Sequence, residues 1–470
     1  MIGEYVAVDL GAGSGRVMLG SFGDENLSLR EIHRFPNTPR KVDGFERWDI
    51  AALFKGVKDG LAKLPDGGRA VSSIGVDTWG VDFGLVDSDD RLIADPVVYR
   101  DPRTEGMMEL VDGLISREEL FARTGLQFIC INTIYQLLAQ VRAGEWPEDA
   151  AKLLFIPGLF NMLLCGSTKA EFTFASTSAM LKAGSAEWDV DLLDRLGLPT
   201  SILPELVLPG TELGRLKPEL QSELGLTDLR VIAPACHDTA SAVAGAPLEE
   251  GWAYISSGTW SLVGVERATP VLGEAAMAAG LTNEGGVEGT TRVLRNIMGL
   301  WILESCRAEW DRRGELIGYE DLQRNLDGLS VGSMRINPDD PRFFNPESMI
   351  AEVQSFLGET GQACPEDQLI LSGIILESLA DRYAEMIRYI EEVTRTPIKG
   401  IRIIGGGSQN AYLNQATANA AGVPVAAGPV EATALGNLMV QAIADGRFTD
   451  IAAARQFTAE RMESRLFQPR

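Results

Sequence analysis

The chain is 470 residues long, 45% hydrophobic and 23% charged, with a formal net charge of −24. That length implies two to four domains of about 100–200 residues, and an acidic balance with no Lys/Arg-rich run leaves nucleic acid without the basic face it needs. Five scattered cysteines (130, 165, 236, 306, 364) without a CxxC, and only two histidines, argue against both a zinc site and a disulfide scaffold. The N-terminus shows no basic region followed by an apolar core, so a cytoplasmic protein without a signal peptide is expected. The most apolar window, residues 150–166, is interrupted by Lys152, Pro157 and Asn161 and falls short of the ~20 residues a membrane span needs.

Residues 5–20, YVAVDLGAGSGRVMLG, open the chain with an apolar run carrying Asp9, then Gly11, Gly13 and Gly15, then a second apolar run. The pattern predicts strand, tight glycine turn, strand. Glycines let backbone N–H groups approach an anion and allow positive φ, and Ser14 and Arg16 stand where a phosphate can be gripped. The spacing is GxGxG before a strand, not GxGxxG before a helix, and no GxxxxGK[ST] occurs. The stretch therefore resembles the β-hairpin phosphate loop of actin-like and sugar-kinase ATPases, although an ordinary Gly-rich hairpin fits the same residues.

Residues 27–35 read as a further strand and 48–64 as an amphipathic helix. Residues 73–87, SIGVDTWGVDFGLVD, are again apolar run, Gly-containing turn, apolar run. Asp9 and Asp77 each close an apolar strand beside a glycine turn. Such carboxylates suit a Mg²⁺ held mostly through waters, or accept bonds from their own turns. A mostly helical region follows (116–124, 133–142, 153–164). An apolar strand over 229–235 then delivers Cys236, His237, Asp238 and Thr239 to a small-residue helix at 240–246. Asp238 at that junction is a candidate general base, and equally a helix N-cap. His237 reads as a ligand to a substrate hydroxyl or as a structural hydrogen-bonder.

Residues 252–266, WAYISSGTWSLVGVE, repeat the opening architecture about 250 residues on. Two phosphate hairpins suggest two lobes of related topology, divided near residues 245–250, giving domains 1–246 and 247–470. Thr259 in the second turn matches Ser14 in the first and serves either phosphate or the turn itself. A long amphipathic helix covers 373–393. A strand at 401–404 runs into Gly405, Gly406, Gly407 and Ser408, and the helix after it, 411–421, is expected to aim its positive end at that turn. A last helix covers 432–444. Trp79 and Trp260 either wall a sugar pocket or pack in the core. Alternating strands and helices in both halves indicate α/β lobes.

The stretches VAVDLGAGSGRVML, GVDTWGVDFGLVD, YRDPRT, TGLQFICINTIYQL, PACHDTASAV, YISSGTWSLVG, LRNIMGLWILE, GGGSQNAYLNQ and GPVEATALGN run in order from residue 6 to about 437. Together they resemble the FGGY carbohydrate kinases, and the Asp-Thr-Trp-Gly-Val-Asp-Phe and Asn-Ile-Met-Gly-Leu-Trp segments resemble the L-rhamnulose kinase branch. The resemblance implies two ribonuclease-H-like (actin-like ATPase) lobes with a nucleotide/sugar cleft between them, working on ATP, Mg²⁺ and a ketose. It implies ATP contacts at Ala12, Gly13, Ser14, Gly15, Arg16 and Thr259, and a nucleotide contact at Gly406. It assigns Gly80, His237, Thr239 and Asn296 to the sugar and Asp238 to proton acceptance from a ketose hydroxyl, expected to be O1. Two positions depart from the pattern: Glu304 stands where the branch usually has Gln at a nucleotide contact, and Gly13 where the family often has Ser or Thr. Competing readings are a kinase for L-fuculose or L-xylulose, and a non-catalytic actin-like regulator. The expected partners are the sugar and ATP, with neither nucleic acid nor membrane, in a monomer or a dimer.

Overall fold

The computed structural model of the protein describes residues 3–226 and 228–470. They form two compact units. The first comprises Met1–Pro247, Glu266–Val293 and Ala432–Met462; the second comprises Leu248–Val265, Leu294–Glu431 and Glu463–Arg470.

The first unit is built on a six-stranded sheet of β1 (Gly3–Leu10), β2 (Ser14–Phe22), β3 (Leu27–Pro36), β4 (Val71–Thr78), β5 (Glu212–Arg215) and β6 (Arg230–Ile232), in the order β5–β6–β4–β1–β2–β3. β1 pairs antiparallel with β2 and parallel with β4, β4 pairs parallel with β6, and β6 antiparallel with β5. From Tyr5 to Leu10 β1 is buried on both faces, and Asp9 is the one charged residue in that run. Val6, Val8 and Leu10 join a core cluster with Leu53, Val57 and Leu61 of the Ile50–Leu61 helix. Tyr5 and Ala7, on the opposite face, pack with Leu435, Leu438 and Met439 of the Ala432–Ala444 helix. Asp9 has the parity of Tyr5 and Ala7, so its side chain belongs to that second face.

The Ala432–Ala444 helix meets the sheet through a buried polar seam. Gln441 donates to Val6 O at 2.9 Å and accepts from Ser73 Oγ at 2.7 Å, while Asn437 donates to Asp77 Oδ2 at 2.6 Å. Its other side crosses the Asp238–Gly245 helix at a separation that only glycines permit. A Cβ on Gly436 would stand 1.8 Å from Ser241 O, and one on Gly245 2.2 Å from Ala432 O.

The second unit carries β7 (Trp252–Ser257), β8 (Trp260–Arg267), β9 (Gly400–Ile404), β10 (Val425–Ala427) and β11 (Arg465–Phe467). β7 pairs antiparallel with β8 and parallel with β9, β9 parallel with β10, and β10 antiparallel with β11. This antiparallel, parallel, parallel, antiparallel sequence of pairings is the one β2–β1–β4–β6–β5 shows in the first unit. The repeat expected from the two hairpins therefore extends to the pairing directions of five strands, although the edge strand precedes its neighbour in the chain in the first unit and follows it in the second.

Three local expectations change. Residues 152–155 form a strand paired with Phe83–Val86, and the helix begins only at Ile156; the three apolar residues 153–155 cannot declare strand or helix by period alone. The helix expected at 240–246 starts two residues earlier, at Asp238. The helix at Ala411–Ala421 does not offer its first amides to the triple glycine, because a 3₁₀ turn over Gly406–Gln409 intervenes and Asn410 Oδ1 caps Leu413 N–H. All five cysteines are free, and no helix among the described residues is long and apolar enough to cross a membrane.

Candidate functional site

The turn of the β1–β2 hairpin is tied by Gly11 N–H to Ser14 O (2.9 Å), and Asn37 holds it from outside by donating to Gly11 O and Gly13 O. None of its three glycines adopts a left-handed φ. Gly15 is needed for packing instead, since a Cβ there would stand 2.4 Å from the Phe35 ring, whereas Gly13 is exposed with open space around it. Ala12 and Ser14 are half-buried beside it.

Register then sets three charged groups in a row. Asp9 is the cross-strand partner of Arg16 on β2 and of Asp77 on β4, and laterally paired residues share a face. Arg16 Nη2 forms an ion pair with Asp9 Oδ2. Asp77 is fully buried, its Oδ2 accepting from Asn437 while its Oδ1 has no partner. Burial, and then the charge of Asp9, push the Asp77 carboxyl well above the usual carboxylate range. No group of three or more His, Cys, Asp or Glu suited to a metal occurs among the described residues. A Mg²⁺ that keeps most of its waters asks for no more than one or two carboxylates, and the unpartnered oxygen of Asp77 fits that demand.

Cys236 and His237 are anchored next to this row. Thr78 bridges His237 in parallel register, and Thr78 N–H donates to Cys236 O at 2.9 Å. On the other side the buried Glu171 accepts from Cys236 N–H at 2.9 Å and from Thr173 Oγ1, which itself accepts from His237 N–H. Glu171 also accepts from Thr173 N–H and Phe174 N–H, and burial lifts its carboxyl to about 6 against these donated bonds. His237 is the N-cap residue of the following helix but makes no side-chain cap bond, and Asp238 is its first helical residue. The capping reading of Asp238 thus does not apply. Its Oδ1 accepts from Thr239 N–H (2.6 Å) and Oγ1 (3.2 Å) and lies 3.3 Å from His237 Nε2. Its side chain remains 30% exposed, so Oδ2 is left for another partner. Burial raises the Asp238 carboxyl; His237 works against that rise and Asp9 adds to it.

Gly80 faces the histidine, with a Cβ there falling 3.1 Å from His237 Nε2. The next residue, Val81, holds a left-handed φ of 67°, unusual for a β-branched side chain. Neighbours fix it there: Thr133 Oγ1 donates to Val81 O at 2.6 Å, and Val81 N–H donates to Thr177 Oγ1. Asp82 accepts the indole N–H of Trp48 (2.6 Å) and of Trp79 (2.9 Å), and burial lifts its carboxyl to about 6. Trp79 is buried against Trp48, with ring centroids 4.4 Å apart. It is a core residue that shapes the turn rather than a pocket wall.

In the second unit, Thr259 is exposed in the β7–β8 turn, which Gly299 and Leu300 clamp by donating to Thr259 O (3.1 Å) and Gly258 O (2.9 Å). The Asn-Ile-Met-Gly-Leu-Trp segment is thereby explained in part: Gly299 lets the backbone approach, since a Cβ would meet Ser261 Oγ at 2.5 Å. Gly405, at φ 79°, and Gly407 press against Ser257, while Gly406 is exposed and open. Asn296 is half-buried on the Thr291–Met298 strand. Glu304 is exposed on its helix, its carboxylate taken by the Tyr319 hydroxyl, and Arg307 stacks over the Tyr319 ring at 3.8 Å.

Sequence reasoning missed Glu171, Glu284 and Arg292 around His237. Arg292 is fully buried and donates to Glu284 Oε2 at 3.0 Å and to Gly285 O at 2.8 Å. Burial alone would lift the Glu284 carboxyl, but its polar neighbours, the Arg292 guanidinium first among them, outweigh it and hold the group below its usual range.

Residues 4–245 match the N-terminal domain, and residues 253–444 the C-terminal domain, of the FGGY family of carbohydrate kinases. A Rhamnulokinase of Bacteroides thetaiotaomicron is 43% identical over 468 residues, spanning 99% of this chain and 96% of that protein. A Rhamnulokinase of Oceanobacillus iheyensis is 41% identical over 452 residues, spanning 96% and 95%. Among solved structures, a gluconate kinase from Lactobacillus acidophilus superposes with a TM-score of 0.82 at 16% identity, covering 100% of this chain and 94% of that one. A Plasmodium falciparum glycerol kinase with ADP gives 0.78 at 15% identity, covering 100% and 94%. At those identities the solved structures speak to the fold alone.

Proposed function

Because the chain belongs to the FGGY family of carbohydrate kinases, we propose that it transfers the γ-phosphoryl group of ATP to O1 of L-rhamnulose. The observation that carries the substrate is the 43% identity to a rhamnulokinase across 99% of the chain.

Asp238 Oδ2 takes the proton of the attacking hydroxyl as its oxygen bonds to the γ-phosphorus and the bond to the β,γ-bridging oxygen breaks, releasing ADP. A carboxyl raised by burial is a better proton acceptor, and general base catalysis of this kind contributes about 10²–10⁴-fold. His237, Thr239, Gly80 and Asn296 orient the sugar. In the first unit Ala12, Gly13, Ser14, Gly15 and Arg16 receive phosphate; in the second Thr259 serves phosphate and the exposed Gly406 offers open backbone to the nucleotide. Glu304, a nucleotide contact by the family pattern, would meet it with a carboxylate already engaged by Tyr319. Asp9 and Asp77 would hold a Mg²⁺, which when bound neutralises phosphate charge.

The test is ADP formation from Mg-ATP across a panel of ketoses. Turnover on L-rhamnulose well above that on L-fuculose and L-xylulose is expected. Preference for another ketose would overturn the substrate, and sugar-independent behaviour would overturn the reaction.

A further inference from the structure

Among the described residues Arg292 is the largest side chain with no exposed surface, and the β-hairpin phosphate loop and the Cys236–Thr239 segment do not account for it. Nε donates to Gly285 O at 2.8 Å, and Nη2 lies 3.0 Å from Glu284 Oε2 and 3.2 Å from His237 Nδ1. A guanidinium can only donate. An N–H of Nη2 aimed at Nδ1 therefore demands a lone pair there, which places the imidazole proton on Nε2. Nε2 is the nitrogen 3.3 Å from Asp238 Oδ1 and opposite Gly80. Glu284 Oε2 also lies 3.4 Å from Nδ1. It lies within hydrogen-bond reach of Arg292 Nη2 as well, so one carboxylate oxygen fixes the guanidinium that fixes the ring.

We propose that Arg292, braced by Glu284, is a positioning residue that holds His237 in its Nε2–H tautomer and so orients Asp238. The Nε2–H donates to Asp238 Oδ1, which with the two Thr239 bonds pins one carboxylate oxygen and turns the other toward the acceptor hydroxyl. A hydrogen bond to one ring nitrogen setting the chemistry of the other is a general property of imidazole. Burying an arginine whose Nη1 finds no partner costs stability, which a purely structural site would avoid with an apolar side chain. The functional half of this inference rests on the kinase reading above; the tautomer does not.

The chain has only two histidines, His33 and His237, so ¹⁵N-histidine labelling gives a two-residue spectrum that His33→Gln assigns. The expected long-range ¹H–¹⁵N pattern for His237 is a proton on Nε2 and none on Nδ1, lost in Arg292→Lys or Arg292→Met. A proton on Nδ1 in the unmodified protein would overturn the proposal, because Glu284 would then hold the ring directly. In kinetics, Arg292→Lys is expected to lower kcat about 10–100-fold, the range typical of residues that orient a functional group from behind, with KM for ATP unchanged. In a His237→Asn background the same change is expected to add little; full additivity would overturn the proposal. A protein that phosphorylates no ketose would remove the kinase reading while the tautomer measurement still stands or falls by itself.

Discussion

A methyl group placed on Gly80 would stand 3.1 Å from Nε2 of His237. That contact is tighter than ordinary van der Waals packing, and His237 has little room to retreat: it is buried, with Arg292 behind Nδ1 and Thr173 on its backbone. Gly80→Ala should therefore displace the imidazole from Asp238 rather than unfold the turn. We expect kcat/KM for the sugar to fall about 10–100-fold, since a shift of an ångström in a catalytic constellation has effects of that order. KM for ATP should stay within about twofold. An alanine variant with wild-type sugar kinetics would show that the glycine is there for backbone reasons alone.

Asp238→Asn keeps the size of the side chain and its Oδ1 contacts with Thr239 but cannot accept a proton. Turnover should drop by about 10²–10⁴, with nucleotide affinity nearly intact. Steady-state kinetics alongside calorimetric ATP binding separate the two. Retention of more than about a tenth of the wild-type rate would sink the base assignment.

What could be read in the sequence follows from where its signals are local. Both hairpins, the Ala411–Ala421 helix and the Ala432–Ala444 helix stand where glycine turns and apolar periods put them. Asp9 and Asp77 were visible because each ends an apolar strand at a turn. The ring of buried polar groups behind His237 was not visible. Glu171 reaches Cys236 across 65 residues, and Arg292 reaches His237 across 55. No spacing rule links such pairs, and a lone Glu or Arg in an alternating stretch reads as a solvated face. Trp79 illustrates the converse: its motif drew attention to a sugar pocket, yet its indole serves Asp82 from inside the core.

Asp82 and Glu171 make the fold sensitive to pH in a direction opposite to most surface carboxylates. Burial raises both to about 6, so the folded state binds protons that the unfolded chain releases near pH 4. Stability from each is complete below pH ~4 and is lost as pH rises through about 6. For Asp82 the loss is of order ~3 kcal/mol and for Glu171 ~2 kcal/mol, on 1.36 kcal/mol per unit. Urea midpoints measured from pH 4 to 7 should decline across this window more than in Asp82→Asn, whose slope should be shallower. Identical slopes would mean that Asp82 does not titrate there.

Two glycine-to-alanine changes should separate packing from access. Gly436→Ala would drive a methyl to 1.8 Å from Ser241 O, a backbone atom of a buried helix that cannot swing aside. The Asp238–Gly245 helix would have to move, costing more than ~3 kcal/mol on the scale of overpacked cores, and catalysis would fall with stability because Asp238 begins that helix. Gly13→Ala meets no atom within 4 Å and needs no unusual φ, so its Tm should be within about 1 °C of wild type. Its added methyl stands instead where a phosphate is proposed to approach the turn, and KM for ATP should rise severalfold with the sugar KM unchanged. Thermal scans and ATP titrations on the same two proteins decide both points. A destabilised Gly13→Ala with normal ATP kinetics would remove the β1–β2 turn from the nucleotide site.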